Sequence, residues 1–205
     1  MKTLKIYGNA VNGRYIEQAV EALREGGVIV YPTDTLYAIG CDALNNRAIE
    51  RICRIKDIDP RRQHLSITCA DLSQAARYAR IDNNAFDLMR RNLPGPFTFI
   101  LPASTNLPKV FKGRKEVGIR VPDDPVAHAL AEALGNPLLT TSIYLEDINA
   151  DMSDIASLEI AESYASDITM VIDAGPRDVI GSTVVDLSDS SSPEIIREGR
   201  QSLNL

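Results

Sequence analysis

Eight short runs of β-branched, aliphatic and aromatic residues confine this chain to a sheet covered by helices. They are VIVY (28–31), LSITC (65–69), FTFIL (97–101), VGIRV (117–121), PLLTTS (137–142), TMVID (169–173), STVVDL (182–187) and EIIRE (194–198). Helical spacing fills the gaps between them. Asn12 is placed to cap a helix carrying Ile16, Ala19, Val20 and Leu23, which Gly26-Gly27 stops. A second amphipathic helix is expected over 46–56, with others near 71–79, 83–91, 124–134 and 153–163. Pro32 cannot donate to a sheet ladder and so ends VIVY, while Pro94-Gly95-Pro96 introduces FTFIL. The alternation predicts an α/β fold, with a mixed sheet because the last strands lack helical crossovers. The chain has 205 residues and shows no repeat, low-complexity linker or composition break. It is therefore expected to form one domain, with a core from about 12 to 200 and an acidic stretch, 145–176, inside it.

Three widely spaced cysteines, Cys41, Cys53 and Cys69, argue against a disulfide framework and fit a reducing compartment. No apolar run approaches the roughly 20 residues of a membrane span. The N-terminal MKTLKIYGNA lacks a secretory pattern, so a cytoplasmic location is expected. The net charge of −6 argues against general nucleic-acid binding. Cations nevertheless cluster in two windows. One holds Arg51, Arg54, Lys56, Arg61 and Arg62, and the other Lys109, Lys112, Arg114, Lys115 and Arg120. Clusters of this kind on an acidic chain fit either a local anion site or solvated surface segments.

Three strand ends carry polar groups that could meet a ligand, since open α/β sheets bind at the carboxyl ends of their strands. Thr33, Asp34 and Thr35 follow VIVY, and local capping of a turn is the competing role for them. Thr140 and Ser142 end the PLLTTS run, and Ser182 opens STVVDL. Arg120 lies within an apolar strand, where its charge requires a partner. Its planar fork suits a ligand carboxylate or phosphate, or else an acid of the protein itself. No Walker loop, G-x-G-x-x-G or G-x-S-x-G segment is present. The two histidines, His64 and His128, lack the spacing of a zinc site. His128 reads as a surface or packing residue, and His64, next to Arg61-Arg62, as a candidate site residue.

The stretches GGVIVYPTDTLYAIGCDA, ERICRIK, LPGPFTFILPA, VGIRVPDDPVAHALAEALGNPLLTTS, STVVD and IIREG resemble, in this order, the YrdC/YciO family that includes the threonylcarbamoyl-AMP synthases. The resemblance runs from about Gly26 to Gly199. It implies a twisted mixed parallel and antiparallel sheet with flanking helices and a basic concave cleft. It also implies a nucleotidyltransferase that joins L-threonine, bicarbonate and ATP into threonylcarbamoyl-adenylate and pyrophosphate, with Mg²⁺, for the t6A modification of tRNA. By resemblance, Thr33, Thr35, His64, Arg120 and Ser182 contact threonine. Lys56, Arg61 or Arg62, Thr140, Ser142 and Arg197 contact ATP. The resemblance names no catalytic side chain.

Two motifs depart from the synthase pattern. Where the synthases carry Lys-x-Arg, Lys56 is followed here by Asp57 and Ile58, and the next arginines are Arg61 and Arg62. Where they carry Ser-x-Asn, Ser142 is followed by Ile143 and Tyr144. Charged hydrogen bonds of the kind removed are worth roughly 1.5–3 kcal/mol each. Both changes place the chain nearer the YciO branch. Two other functions then stand beside synthesis: binding of double-stranded RNA or tRNA through Lys109, Lys112, Arg114 and Lys115, and nucleotide sensing without turnover.

Overall fold

The computed structural model describes residues 1–6, 11–57, 59, 65–107, 111, 115–143, 166–177 and 180–205. Ten strands form one mixed sheet in the order β1-β8-β2-β3-β7-β4-β6-β5-β9-β10. In chain order the strands are β1 (Lys2–Lys5), β2 (Ile29–Tyr31), β3 (Ala38–Asp42), β4 (Ser66–Thr68) and β5 (Phe97–Pro102), then β6 (Glu116–Arg120), β7 (Leu138–Ser142), β8 (Met170–Asp173), β9 (Thr183–Asp186) and β10 (Glu194–Arg197). The helices are α1 (Gly13–Arg24), α2 (Asn46–Ile55), α3 (Leu72–Ala75), α4 (Asn83–Asn92) and α5 (Pro125–Leu134). All eight expected strands are present. The expected helix near 71–79 forms only the four residues of α3, and the one near 153–163 lies outside the described residues. Among the described residues no helix is long and apolar enough to cross a membrane.

Two strands escaped the sequence reading, for different reasons. β1 is an edge strand with lysines at both ends and Leu4 as its one buried residue, so it offers little apolar signal. β3 carries Gly40 in its centre, which lowers strand propensity. The ring of Tyr31, on the neighbouring strand, lies over that glycine: a Cβ at residue 40 would stand 2.7 Å from Tyr31 Cε1 and 3.0 Å from the Leu139 carbonyl oxygen.

The helices start where their caps dictate. Asn12, Asn45, Asp82 and Asp124 accept from backbone N–H groups in the first turns of α1, α2, α4 and α5. Pro125 opens α5, and Gly135, in the left-handed conformation at φ 76°, closes it.

Strand register decides which side chains share a face, because successive residues alternate between faces. On one face Val30, Ile39, Leu139, Ile67, Ile119, Phe99 and Val185 run across the sheet. They pack against Ile49 and Ile52 of α2, Ala75 of α3 and Leu88 and Met89 of α4. On the opposite face Leu4, Ile172, Ile29, Tyr31, Ala38 and Leu138 lie beneath α1 and α5. That second face then changes chemistry. Past Leu138 it presents Thr140, Ser142, Ser66, Thr68, Gly118, Arg120 and Thr98, and no helix of the described residues covers it. Half of one sheet face is thus core, and the other half is a polar floor.

Gly40→Ala would force the fully buried Tyr31 ring or the β7 backbone to shift, an overpacking cost of about 1–3 kcal/mol. Urea unfolding is expected to show that loss. Gly13→Ala, where an added Cβ meets nothing within 4 Å, should change stability by less than about 0.5 kcal/mol.

Candidate functional site

The polar floor is the base of a cavity of about 290 Å³ lined by Leu65, Ser66, Thr98, Ile100, Gly118, Arg120, Thr140, Thr141, Ser142, Ser182, Val184, Ile196 and Arg197. Five residues expected from the sequence therefore meet in one place: Arg120, Thr140, Ser142, Ser182 and Arg197. They come from β6, β7, the start of β9 and β10, far apart in the chain but joined by the sheet order.

Arg120 is 4% exposed and has a partner within the protein. Its Nη2 donates to Asp34 Oδ1 at 3.0 Å and to Thr35 Oγ1 at 3.3 Å. Of the two partners that the sequence left open for Arg120, the structure supplies the internal acid. Asp34 is held in turn: its Oδ2 accepts from Asp123 N at 3.0 Å, and its carbonyl oxygen accepts from Arg200 Nη1 at 2.9 Å. Thr33 and Thr35 serve the same turn. Thr33 Oγ1 donates to the Leu36 carbonyl at 2.6 Å and accepts from Thr35 N at 3.1 Å. Local capping is therefore what the Thr33 hydroxyl does in this structure, while the Thr35 hydroxyl accepts from Arg120. Thr33 and Asp34 also border a second, more open hollow of about 580 Å³, shared with Asp123, Asp124, Arg177 and Arg200.

On the other side of the floor Thr98 Oγ1 and Ser182 Oγ stand 2.9 Å apart. Arg197 Nη2 donates to the Ser182 carbonyl at 2.9 Å, which holds this second guanidinium at the cavity wall. Gly199 allows that arrangement: a Cβ there would sit 2.3 Å from Ser182 C and 2.4 Å from Thr183 N. Tyr31 Oη donates to Thr140 Oγ1 at 3.0 Å where the covered and open halves of the face meet. Burial raises the Tyr31 hydroxyl, outweighing hydrogen bonds with Thr140 and Thr68 and the charge of Arg120, so it stays a neutral donor.

Lys56 closes α2 and lies outside the described cavity lining; Asp57, the next residue, takes a left-handed φ of 50°. Arg61, Arg62, His64, Lys109, Lys112 and Arg114 lie outside the described residues. Lys115 is exposed just before β6. His128 is on the surface of α5, 4.0 Å from Glu132, as expected. The described lining is hydroxyl-rich with two arginines, one neutralised by Asp34. It is polar rather than strongly basic.

Asp34 was named among the polar groups after VIVY but not as the partner of Arg120, and Thr98 and Gly118 were missed as site residues. The signal for the last two was available, since period two within FTFIL and VGIRV puts Thr98, Gly118 and Arg120 on one face. Among the described residues no group of His, Cys, Asp and Glu could hold a metal ion. Burial pushes the Cys69 thiol up to about 12 and raises Cys41 as well, so neither serves as a nucleophile near neutral pH. What remains is an arrangement whose donors and hydroxyls are chemically suited to anionic and hydroxylated groups.

Fold and site together define an α/β domain that presents a hydroxyl- and arginine-lined cavity on an open half of its sheet. The chain belongs to the Sua5/YciO/YrdC family, whose model, described as telomere recombination, matches residues 21–199. It is 43% identical to YciO of Escherichia coli K12 over 188 residues, 91% of this chain and 89% of that protein. It is 40% identical to the threonylcarbamoyl-AMP synthase of Halorhodospira halophila over 129 residues, 62% of this chain and 67% of that one. The crystal structure of E. coli YciO superposes with a TM-score of 0.86 at 39% identity, covering 97% of this chain and 96% of the other. P. abyssi Sua5 complexed with L-threonine superposes at 0.85 and 28% identity, covering 97% of this chain and 58% of Sua5. The similarity to YciO agrees with the altered segments after Lys56 and Ser142.

Removing one partner of the Arg120–Asp34 pair leaves an uncompensated buried charge, so Asp34→Ala and Arg120→Ala should each cost about 3–5 kcal/mol. The double variant should be more stable than the sum of the two losses implies, by about 1–3 kcal/mol, in denaturant unfolding.

Proposed function

We propose that this protein binds ATP and L-threonine side by side on the open half of its sheet and joins them through bicarbonate as threonylcarbamoyl-adenylate. The observation that carries the reading is the buried guanidinium of Arg120 on the floor of a hydroxyl-lined cavity. Two of its donor nitrogens, Nη1 and Nε, make no contact among the described residues. Their N–H groups lie on different edges of the guanidinium, so each can give a carboxylate oxygen a single charged hydrogen bond. The P. abyssi protein of the same fold is complexed with L-threonine, and a synthase named for this product is 40% identical to the chain over 129 residues.

On this reading Arg120 takes the threonine carboxylate. Ser182, tied to Thr98, faces the amino-acid side, with Thr35 supporting Arg120 and His64 and Thr33 nearby by family resemblance. Thr140, Ser142 and Arg197 face the nucleotide, with Lys56 and Arg61 or Arg62 assigned to it by resemblance. Bicarbonate takes up a proton and loses water to give carbon dioxide, to which the free amine of threonine adds, releasing a proton and leaving a carbamate. A carbamate oxygen attacks the α-phosphorus of ATP, and the bond to the leaving pyrophosphate breaks. Mg²⁺ enters with the nucleotide as part of that substrate. The protein's part is to align two anions and neutralise their charge, the usual means of catalysis in phosphoryl and nucleotidyl transfer. The product is an activated carbamoyl donor suited to the t6A modification of tRNA.

Incubation with ATP, L-threonine, bicarbonate and Mg²⁺ should yield pyrophosphate and the adenylate only when all four are present. Arg120→Lys, which loses the planar fork, should lower kcat/KM for threonine by about 10- to 100-fold. A folded protein that forms no pyrophosphate at high concentration overturns the synthase reading.

A further inference from the structure

We propose that Asp34 is a positioning and specificity residue: it fixes Arg120 and restricts the amino-acid side of the cavity to monocarboxylates. The proposal rests on the binding of an amino acid at Arg120 argued above, and goes beyond it by assigning the basis of selection.

Asp34 cannot swing aside to make room for a ligand. Its Oδ1 accepts from Arg120 Nη2 at 3.0 Å, its Oδ2 accepts from Asp123 N at 3.0 Å, and its carbonyl accepts from Arg200 Nη1 at 2.9 Å. Both carboxylate oxygens and the backbone are engaged, from two segments of the chain far apart in sequence. The Arg120 and Asp34 side chains are 5% and 8% exposed, so solvent screens their charges poorly.

Two consequences follow from that geometry. Arg120 Nη2, which belongs to both fork edges of the guanidinium, is spent on Asp34 and Thr35, so an incoming carboxylate is limited to a single charged hydrogen bond from Nη1 or Nε. The Arg120–Asp34 pair is also neutral as a unit. One ligand carboxylate gains a charged hydrogen bond there, whereas a second carboxylate on the same ligand would meet the fixed charge of Asp34 across the width of a guanidinium. At an effective dielectric near 20, like charges about 5–6 Å apart repel strongly enough to change affinity by more than tenfold. Hydroxyls at Thr98 and Ser182 accept a neutral polar side chain without such a penalty. L-Threonine satisfies both conditions. L-Aspartate and L-glutamate fail the second.

The test is titration calorimetry of L-threonine and L-aspartate on the full chain and on Asp34→Asn and Asp34→Glu. The unaltered protein should favour threonine by at least about tenfold. Asp34→Asn, which keeps an acceptor for Arg120 but loses the charge, should reduce that preference by about tenfold or more. Asp34→Glu should keep the rejection of aspartate even where threonine affinity falls. A purely structural role would weaken both ligands together and leave their ratio unchanged, which overturns the proposal. Should Asp34→Asn fail to show cooperative unfolding, Asp34→Ser gives the same comparison with space for a water. If the unaltered protein binds threonine and aspartate equally, selection by Asp34 is wrong while the amino-acid site stands. If it binds neither, the functional reading falls and this proposal with it.

Discussion

A guanidinium inside a sheet is the constraint around which this molecule is arranged. Arg120 belongs to β6, three positions in from the edge strand β10 of a ten-stranded sheet, and it meets an acid from the turn after β2. Burying two charges costs several kcal/mol each before their attraction is counted, so such a pair gives little net stability over apolar packing. The structure tolerates it because the surrounding face is polar. Tyr31, Thr140, Thr68, Thr35 and Thr98 lie around the pair or on the same floor, and Asp123 N and Arg200 complete the coordination of Asp34. Replacing that floor with aliphatic residues would favour folding and abolish the cavity.

The same face shows how one sheet serves two purposes. Under α1 and α5 it carries Leu4, Ile29, Ala38 and Leu138, and the helices remove that surface from water. Beyond Leu138 the alternation continues with hydroxyls, a glycine and an arginine. Tyr31 marks the border, its ring packed over Gly40 in the covered half and its hydroxyl bonded to Thr140 in the open half. The opposite face carries the larger apolar cluster, from Val171 of β8 across to Val185 of β9. A rigid floor of this type keeps donors in place at no reorganisation cost when an anion arrives, which is what nucleotidyl transfer asks of a protein.

Much of this was legible in the chain. The runs VIVY, FTFIL, VGIRV and PLLTTS became β2, β5, β6 and β7 within a residue or two, because short apolar runs bounded by prolines and caps leave few alternatives. Arg120 announced itself as a charge in an apolar strand. Its partner did not, because nothing local links residue 120 to residue 34; β6 lies four positions from β2 in the sheet, and only the path of the segment that follows β2 carries Asp34 to Arg120. β3 was hidden by Gly40, whose strand geometry depends on the Tyr31 ring from another strand. The basic character expected of the cleft rested on the windows 51–62 and 109–120. Among the described residues the cavity takes Arg120 from the second window and none from the first, adds Arg197 from β10, and is dominated by hydroxyls. Charge clustering along a sequence locates cations but not the surface they share.

The central claim is that a ligand carboxylate binds Arg120 while Asp34 keeps its hold on the same guanidinium. A crystal structure of the protein with L-threonine tests it directly. The expected result is a threonine carboxylate oxygen at about 2.7–3.0 Å from Arg120, with the Arg120–Asp34 contact still near 3.0 Å. Threonine bound instead in the hollow beside Asp123 and Arg177, or Asp34 displaced from Arg120 by the ligand, would contradict it.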